Sequence, residues 1–170
     1  MTTKTFINKL KESITNEGQI LINDFFVTFS RFECALKASG FINGSDDRVS
    51  ANWETFVASI RDDFDNAQKT SQIHFAVEYL INHPPKIQNY SNNQLGWRDR
   101  TFEDNLPLIN KLCLSIKDIR NNLFHGGKFN GNFEEEVSRN FILLNSAIEI
   151  LNHWLQLSQT VRQNFLAPIS

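Results

Sequence analysis

Apolar residues recur every three or four positions along most of this chain, and this spacing constrains the fold more than any other feature of the sequence. The longest such run lies near the C-terminal end: Val137, Phe141, Leu144, Ile148, Leu151 and Leu155. A second run has the same spacing and precedes a pair of glycines: Ile109, Leu112, Ile116, Ile119 and Leu123. Because an α-helix completes a turn in about 3.6 residues, each run places its apolar side chains on one helical face. Both runs are therefore predicted to be amphipathic helices.

Three earlier segments are predicted to be helical for the same reason. The first covers residues 17–39, where large apolar residues are again spaced by three and four. The second begins after a capping side chain, which is Ser50 or Asn52. The third covers residues 71–82, because the prolines at 84–85 cannot continue a helix.

Two stretches between these helices lack helical periodicity. Residues 43–47 form a turn-rich loop, and residues 86–100, which are rich in Asn, are predicted to be an irregular connection. Neither stretch shows the alternation of apolar and polar residues that is typical of a strand. The predicted fold class is therefore all-α, a four- to five-helix antiparallel bundle that forms one domain over residues 1–170.

Charge and cysteine content exclude several classes of protein. The 17 Lys and Arg residues nearly balance the 19 Asp and Glu residues, so bulk charge does not favour coating of nucleic acid or of anionic membranes. No apolar segment resembles a secretory signal or is long enough to span a bilayer, so a cytoplasmic protein with no membrane contact is expected. Cys34 and Cys113 lie inside amphipathic segments and are predicted to be buried thiols rather than a disulfide.

Common catalytic and cofactor motifs are absent from the sequence. The histidines and cysteines do not have the spacing of metal ligands, so no metal is expected. The glycine-rich loops that bind phosphate and the serine elbow of hydrolases are also absent, so no cofactor is expected. Trp97, Arg98 and Arg100 could form a patch that stacks on bases and binds phosphate, but neighbouring acids favour an ordinary solvated loop.

The segment 119–128 is the remaining candidate for chemistry. At about 100° per residue, Arg120 lies roughly 60° from the apolar direction of its helix and His125 roughly 160° from it. Asn121 precedes His125 by four residues and therefore shares its face. Lys128 follows the glycines and could contact RNA phosphates. The alternative interpretation is a solvated helix end and a solvated loop lysine.

An arginine and a histidine at a helix edge suit the cleavage of a phosphodiester without a metal. Histidine can take the proton from an RNA 2′-hydroxyl or protonate the leaving oxygen. Arginine can hold the phosphate through two hydrogen bonds and stabilise the charge of the transition state. Each chain offers one such histidine, so two-fold pairing of identical chains would supply both an acid and a base.

The string Arg-Asn-Asn-Leu-Phe-His-Gly-Gly-Lys at 120–128 resembles the Arg-(four residues)-His motif of the HEPN superfamily, and Arg31-Phe32-Glu33 resembles part of its first long helix. The resemblance implies a dimeric helical bundle with metal-independent endoribonuclease activity that leaves a cyclic phosphate, in a toxin, abortive-infection or antiphage setting. It further implies that Arg120 is the phosphate clamp, that Asn121 orients or polarises, and that His125 is the acid and base.

One position departs from the branch of this superfamily that nucleotidyltransferase antitoxins neutralise. That branch has Tyr two residues after the histidine, whereas this chain has Gly127. The nature of any antitoxin or regulatory partner is therefore open. Two alternatives to an RNA-cleaving homodimer also remain, a non-catalytic HEPN module that binds RNA or a protein partner and a plain scaffolding bundle.

Overall fold

The computed structural model describes residues 2–124 and 137–168, which form eight helices and two β-hairpins. The helices are α1 (Thr3–Ser13), α2 (Asn16–Ala38), α3 (Trp53–Ser59), α4 (Arg61–Asn66), α5 (Ser71–Asn82), α6 (Leu108–Phe124), α7 (Val137–Leu157) and α8 (Gln159–Leu166). The strands are β1 (Ile42–Ser45), β2 (Arg48–Ala51), β3 (Ile87–Ser91) and β4 (Gln94–Arg98).

Four of the predicted helices are confirmed as continuous elements: α2, α5, α6 and α7. The helix predicted after Ser50 or Asn52 begins at Trp53, with the Asn52 side chain accepting a hydrogen bond from the Thr55 backbone N–H. It is interrupted at Ile60, whose backbone (φ −107°, ψ 5°) leaves the helical range and separates α3 from α4. The short helices α1 and α8 add to the predicted set.

The prediction of an all-α bundle is wrong, because the fold is mixed and contains two antiparallel two-stranded sheets. Hairpin β1–β2 pairs Ile42 with Ala51 and Ser45 with Arg48. The strands have only four or five residues, so each strand offers only two or three positions on either face. Alternation of apolar and polar residues is therefore too short to detect in the sequence.

Turn residues are the sequence signal that marks both hairpins. Asn92 and Asn93 join β3 to β4 with φ of 51° and 59°, the left-handed pair of a type I′ turn. Gly44 has φ of 111°, and a Cβ there would lie 2.1 Å from the backbone oxygen of Arg48. Only glycine fits that position without moving the neighbouring strand.

Helix α7 lies at the centre of the helical layer, where it packs against α2 and α5, while α6 packs against α3 and α5. The largest fully buried side chains come from all of these elements: Trp154, Phe25, Phe32, Phe56, Phe64, Leu36, Leu80, Ile109, Leu112, Ile116, Ile150 and Leu151. The Trp53 ring stacks on Phe29 and Phe32 with centroid distances of 5.1 and 5.2 Å. This aromatic cluster joins α2 to α3.

The two cysteines differ in exposure, and both are free thiols. Cys113 is buried, as predicted, but the prediction of a buried Cys34 is wrong because that side chain is exposed. Cys34 follows the buried Phe32 by two residues, which is about 200° around the helix and hence away from the core. None of the described helices has the length and apolar character required to cross a bilayer.

Candidate functional site

The C-terminal turn of α6 carries two of the residues predicted for the site. Its inner face is buried against the core through Ile116 and Ile119, whereas Arg120 is half-buried and Asn121 is exposed. Both positions agree with the helical geometry predicted from the sequence. His125 and Lys128 lie outside the described residues, so their predicted roles stay predictions.

Contacts on two sides orient the Arg120 guanidinium. Its Nη1 donates a hydrogen bond of 3.1 Å to Oδ1 of Asn121. Its Cζ lies 5.9 Å from the centroid of the Phe29 ring on α2, which is within the range of a cation–π interaction. Because Phe29 is itself buried, the core holds this ring in place next to the guanidinium. Such a held and partly exposed arginine can present paired N–H donors to a phosphate.

The face of α6 opposite Arg120 anchors both ends of hairpin β3–β4. Arg100, just after β4, donates to the two Asp118 oxygens at distances of 2.5 and 2.8 Å. Asn122, one helical turn after Asp118, donates from Nδ2 to the backbone oxygen of Lys86 at 2.8 Å. Arg100, a weak candidate for phosphate binding in the sequence, instead pairs with the largely buried carboxylate of Asp118.

A small cleft separates this turn of α6 from the start of α7. Asn140 lies in its wall, is 5% exposed, and has an Nδ2 atom without a hydrogen-bond partner among the described residues. Apolar side chains form most of the remaining lining, including Leu143 and Leu144 of α7. The candidate motif therefore has an exposed amide, that of Asn121, and lies near a buried one, that of Asn140.

Two described groups with shifted pKa values, Cys113 on α6 and His153 on α7, lack the properties of a reactive centre. Burial raises the pKa of the Cys113 thiol to about 12, so this thiol stays protonated and is a poor nucleophile at neutral pH. Burial, and then the nearby Lys69 ammonium, lower the pKa of His153, whose ring packs on Phe64. In residues 2–124 and 137–168, no three His, Cys, Asp or Glu side chains cluster as metal ligands would.

Arg31 and Glu33, from the segment that resembles the first long HEPN helix, make structural contacts. Arg31 donates from Nε to the Phe165 oxygen at 2.8 Å and from Nη2 to the oxygens of Asn164 and Ala167. These carbonyls lie at the C-terminal end of α8, where arginine supplies donors that the helix itself lacks. Glu33 accepts a hydrogen bond of 3.1 Å from Nε1 of Trp53. Both residues therefore fix α2 against its neighbours.

Comparison with protein-family models, with curated proteins and with solved structures finds no match to this chain. The resemblance of segment 120–128 to the HEPN motif therefore rests on the sequence alone. What the structure adds is the neighbourhood of the motif. Phe29 on α2 contacts Arg120 on α6. From the sequence, Phe29 was predicted only to be a core residue, because it belongs to an apolar run.

Proposed function

We propose that this protein is a metal-independent endoribonuclease of HEPN type that acts as a homodimer, with the Arg120, Asn121 and His125 residues of both chains in one RNA-cleaving cleft. The observation that carries the proposal is the Arg120 guanidinium, half-exposed at the end of α6 and hydrogen-bonded to Asn121. Both side chains are the types that the resemblance requires, and His125 follows Arg120 by five positions.

The proposed reaction is an in-line displacement at phosphorus. His125 of one subunit takes the proton from the 2′-hydroxyl, and that oxygen forms a new bond to phosphorus. The bond from phosphorus to the 5′-oxygen breaks, and His125 of the partner subunit protonates the leaving oxygen. The products are a 2′,3′-cyclic phosphate and a 5′-hydroxyl, and Arg120 stabilises the charge on the non-bridging oxygens. Asn121 orients the guanidinium through its Oδ1 atom.

An apolar surface on α2 supports the homodimer. Ile20 and Val27 are seven residues apart, are 61% and 53% exposed, and lie on the side of α2 that faces away from the core. Phe26 is partly exposed beside them. A two-fold contact along this surface would join two copies of the chain, while Phe29, which contacts Arg120, lies about 200° around α2 from Val27.

The test uses a labelled RNA incubated with purified protein in the presence of a chelator. We expect cleavage to fall at least about 100-fold in Arg120→Ala and in His125→Ala, because each removes a group that acts in the transition state. Arg61→Ala and His74→Ala are matched controls that alter exposed residues of the same types on α4 and α5. Mass spectrometry should find a cyclic phosphate on the 5′ fragment. Equal cutting by all five proteins would indicate a contaminating nuclease.

The dimer is tested in the same assay with Val27→Glu. A buried carboxylate along the α2 surface would be costly, so sedimentation should show a monomer and cleavage should be lost. A Val27→Glu protein that stays dimeric would contradict the α2 interface, and an active monomer would contradict the two-chain cleft. RNA binding without cleavage in the unmodified protein would instead favour the non-catalytic module, which the near-neutral net charge of −2 also suits.

The cellular setting is part of the same proposal. A toxin or antiphage ribonuclease should arrest growth when it is expressed alone, and Arg120→Ala should relieve the arrest. Co-expression of neighbouring genes would then identify an antitoxin or regulatory protein by rescue of growth.

A further inference from the structure

Hairpin β3–β4 presents an exposed aromatic and apolar face. The register pairs Gln88 with Trp97 and Tyr90 with Leu95, and residues that lie directly opposite each other share a face of a hairpin. Tyr90 is 67% exposed and Leu95 is 68% exposed, while Gln88 and Trp97 are half-buried nearer the helices. We refer to these four residues as the hairpin face.

The chemistry of the hairpin suits a nucleic acid strand. From Lys86 to Arg98 the chain contains no Asp or Glu, and these two cations stand at its ends. Between them lie five amide side chains: Gln88, Asn89, Asn92, Asn93 and Gln94. Aromatic rings stack on unpaired bases, amides hydrogen-bond to base edges, and cations contact phosphates. The segment therefore suits a polyanion that exposes its bases, and the exposed Asp99, which directly follows Arg98, offsets one of its two cations.

The hairpin is attached to the same helix that carries the candidate site. The Arg100–Asp118 ion pair and the hydrogen bond from Asn122 to Lys86 hold both hairpin ends on α6. Asp118 and Asn122 bracket Arg120 and Asn121 in the sequence of that helix, within about one turn. Arg120 is about 200° from both Asp118 and Asn122, so a strand bound on the hairpin lies at the same level of α6 as the guanidinium but on the other side of the helix.

We propose that the hairpin face binds single-stranded RNA by stacking of unpaired bases on Tyr90. This inference rests on the proposed function for the choice of RNA as substrate. It assigns substrate selection to the hairpin and leaves the chemistry to the α6 motif. It also predicts a preference for unpaired over duplex RNA, because bases inside a duplex cannot stack on a side chain.

The experiment measures fluorescence anisotropy of a fluorescein-labelled 12-nucleotide RNA of unstructured mixed sequence. The His125→Ala protein is used so that the probe stays intact. Adding Tyr90→Ala should raise Kd about tenfold or more, whereas Tyr90→Phe, which keeps the ring, should bind nearly as tightly as the parent. Val49→Ala is the matched control, since Val49 is an exposed apolar residue of hairpin β1–β2.

Several outcomes would overturn the proposal. These are an unchanged Kd for Tyr90→Ala, equal affinity for a 12-base-pair RNA duplex, and no binding of the probe by the parent. A loss of dimer in Tyr90→Ala would make a second copy of the chain the occupant of the hairpin face and would also overturn it.

Cleavage in the His125-containing protein separates this proposal from the proposed function. If the unmodified protein binds RNA through Tyr90 but never cuts it, the ribonuclease proposal fails and the hairpin proposal stands. If Tyr90→Ala, with His125 present, binds and cuts RNA as the unmodified protein does, the hairpin proposal fails and the ribonuclease proposal stands.

Discussion

The two hairpins have the same antiparallel topology, but their side chains and their attachments differ. Hairpin β1–β2 has Asp46 and Asp47 at its turn and contains no aromatic residue, whereas hairpin β3–β4 has an Asn pair at its turn and carries Tyr90 and Trp97. The first adjoins α2 and α3 through local contacts, including a backbone hydrogen bond of 2.9 Å from Asn52 to the Phe41 oxygen. The second is held by a largely buried ion pair on α6.

This difference shows what each hairpin can contribute. A short, exposed hairpin has little stability of its own, so its position depends on what anchors it. Hairpin β3–β4 has a charged anchor on the helix that carries Arg120, and it exposes groups suited to RNA. Hairpin β1–β2 exposes acids at its turn, which repel a phosphate backbone, so it serves here as the reference for the experiments below.

The largest expected effect is from Asp118→Ala, which breaks the anchor of hairpin β3–β4. The change leaves the Arg100 guanidinium buried without its carboxylate, and we expect the free energy of unfolding to fall by about 3 kcal/mol. Urea denaturation measures it. Asp47→Ala, at the exposed turn of the other hairpin, should change stability by less than about 0.5 kcal/mol. Equal effects of the two substitutions would remove the distinction between the anchors.

A smaller effect is expected from Gly44→Ala in hairpin β1–β2. The new Cβ would lie 2.1 Å from the Arg48 oxygen at a φ of 111°, and we expect a loss of about 1 kcal/mol. Hydrogen exchange should accelerate at residues 42–51 and stay unchanged at 87–98. Gly96→Ala is the counterpart in the second hairpin. Its Cβ would meet the Asn89 side chain at 3.1 Å, so it should cost less.

The smallest effect is expected from Asn93→Gly at the turn of hairpin β3–β4. Glycine adopts the left-handed conformation of this position without a Cβ penalty, and Asn-Gly is a favoured type I′ pair. We expect a stabilisation of at most about 0.5 kcal/mol, partly offset by the greater freedom of glycine in the unfolded chain. Asp47→Gly should give no such gain, because Asp47 has no positive φ to relieve. An equal gain in stability in Asp47→Gly would show that the effect of Asn93→Gly does not come from the positive φ of Asn93.

Most helix bounds were predictable because their signals are local. Helix α5 occupies Ser71–Asn82, as predicted from its apolar spacing and the two prolines that follow. The hairpins were missed because strands of four or five residues give too few positions for alternation. The Asn92-Asn93 pair between short apolar segments was the available signal, and it was interpreted as part of an irregular connection.

The candidate site was likewise predictable only in part. Helical geometry predicted that Arg120 and Asn121 lie at the edge of α6, and the structure confirms a half-buried and an exposed side chain. The support from Phe29 could not be predicted, because it depends on how α2 and α6 pack. The partner of Arg100 was missed for a similar reason. Asp118 is 18 residues away, and nearer acids were equally plausible partners.

By itself, the sequence determined where the long helices lie and which of their faces are apolar, because the helical repeat converts residue spacing directly into direction. Only the tertiary structure decided that Arg120 lies against Phe29, that Arg100 pairs with Asp118, and that hairpin β3–β4 is anchored on α6. These contacts join residues that are distant in the chain. Their formation depends on the shape of the packed core, which residue spacing does not encode.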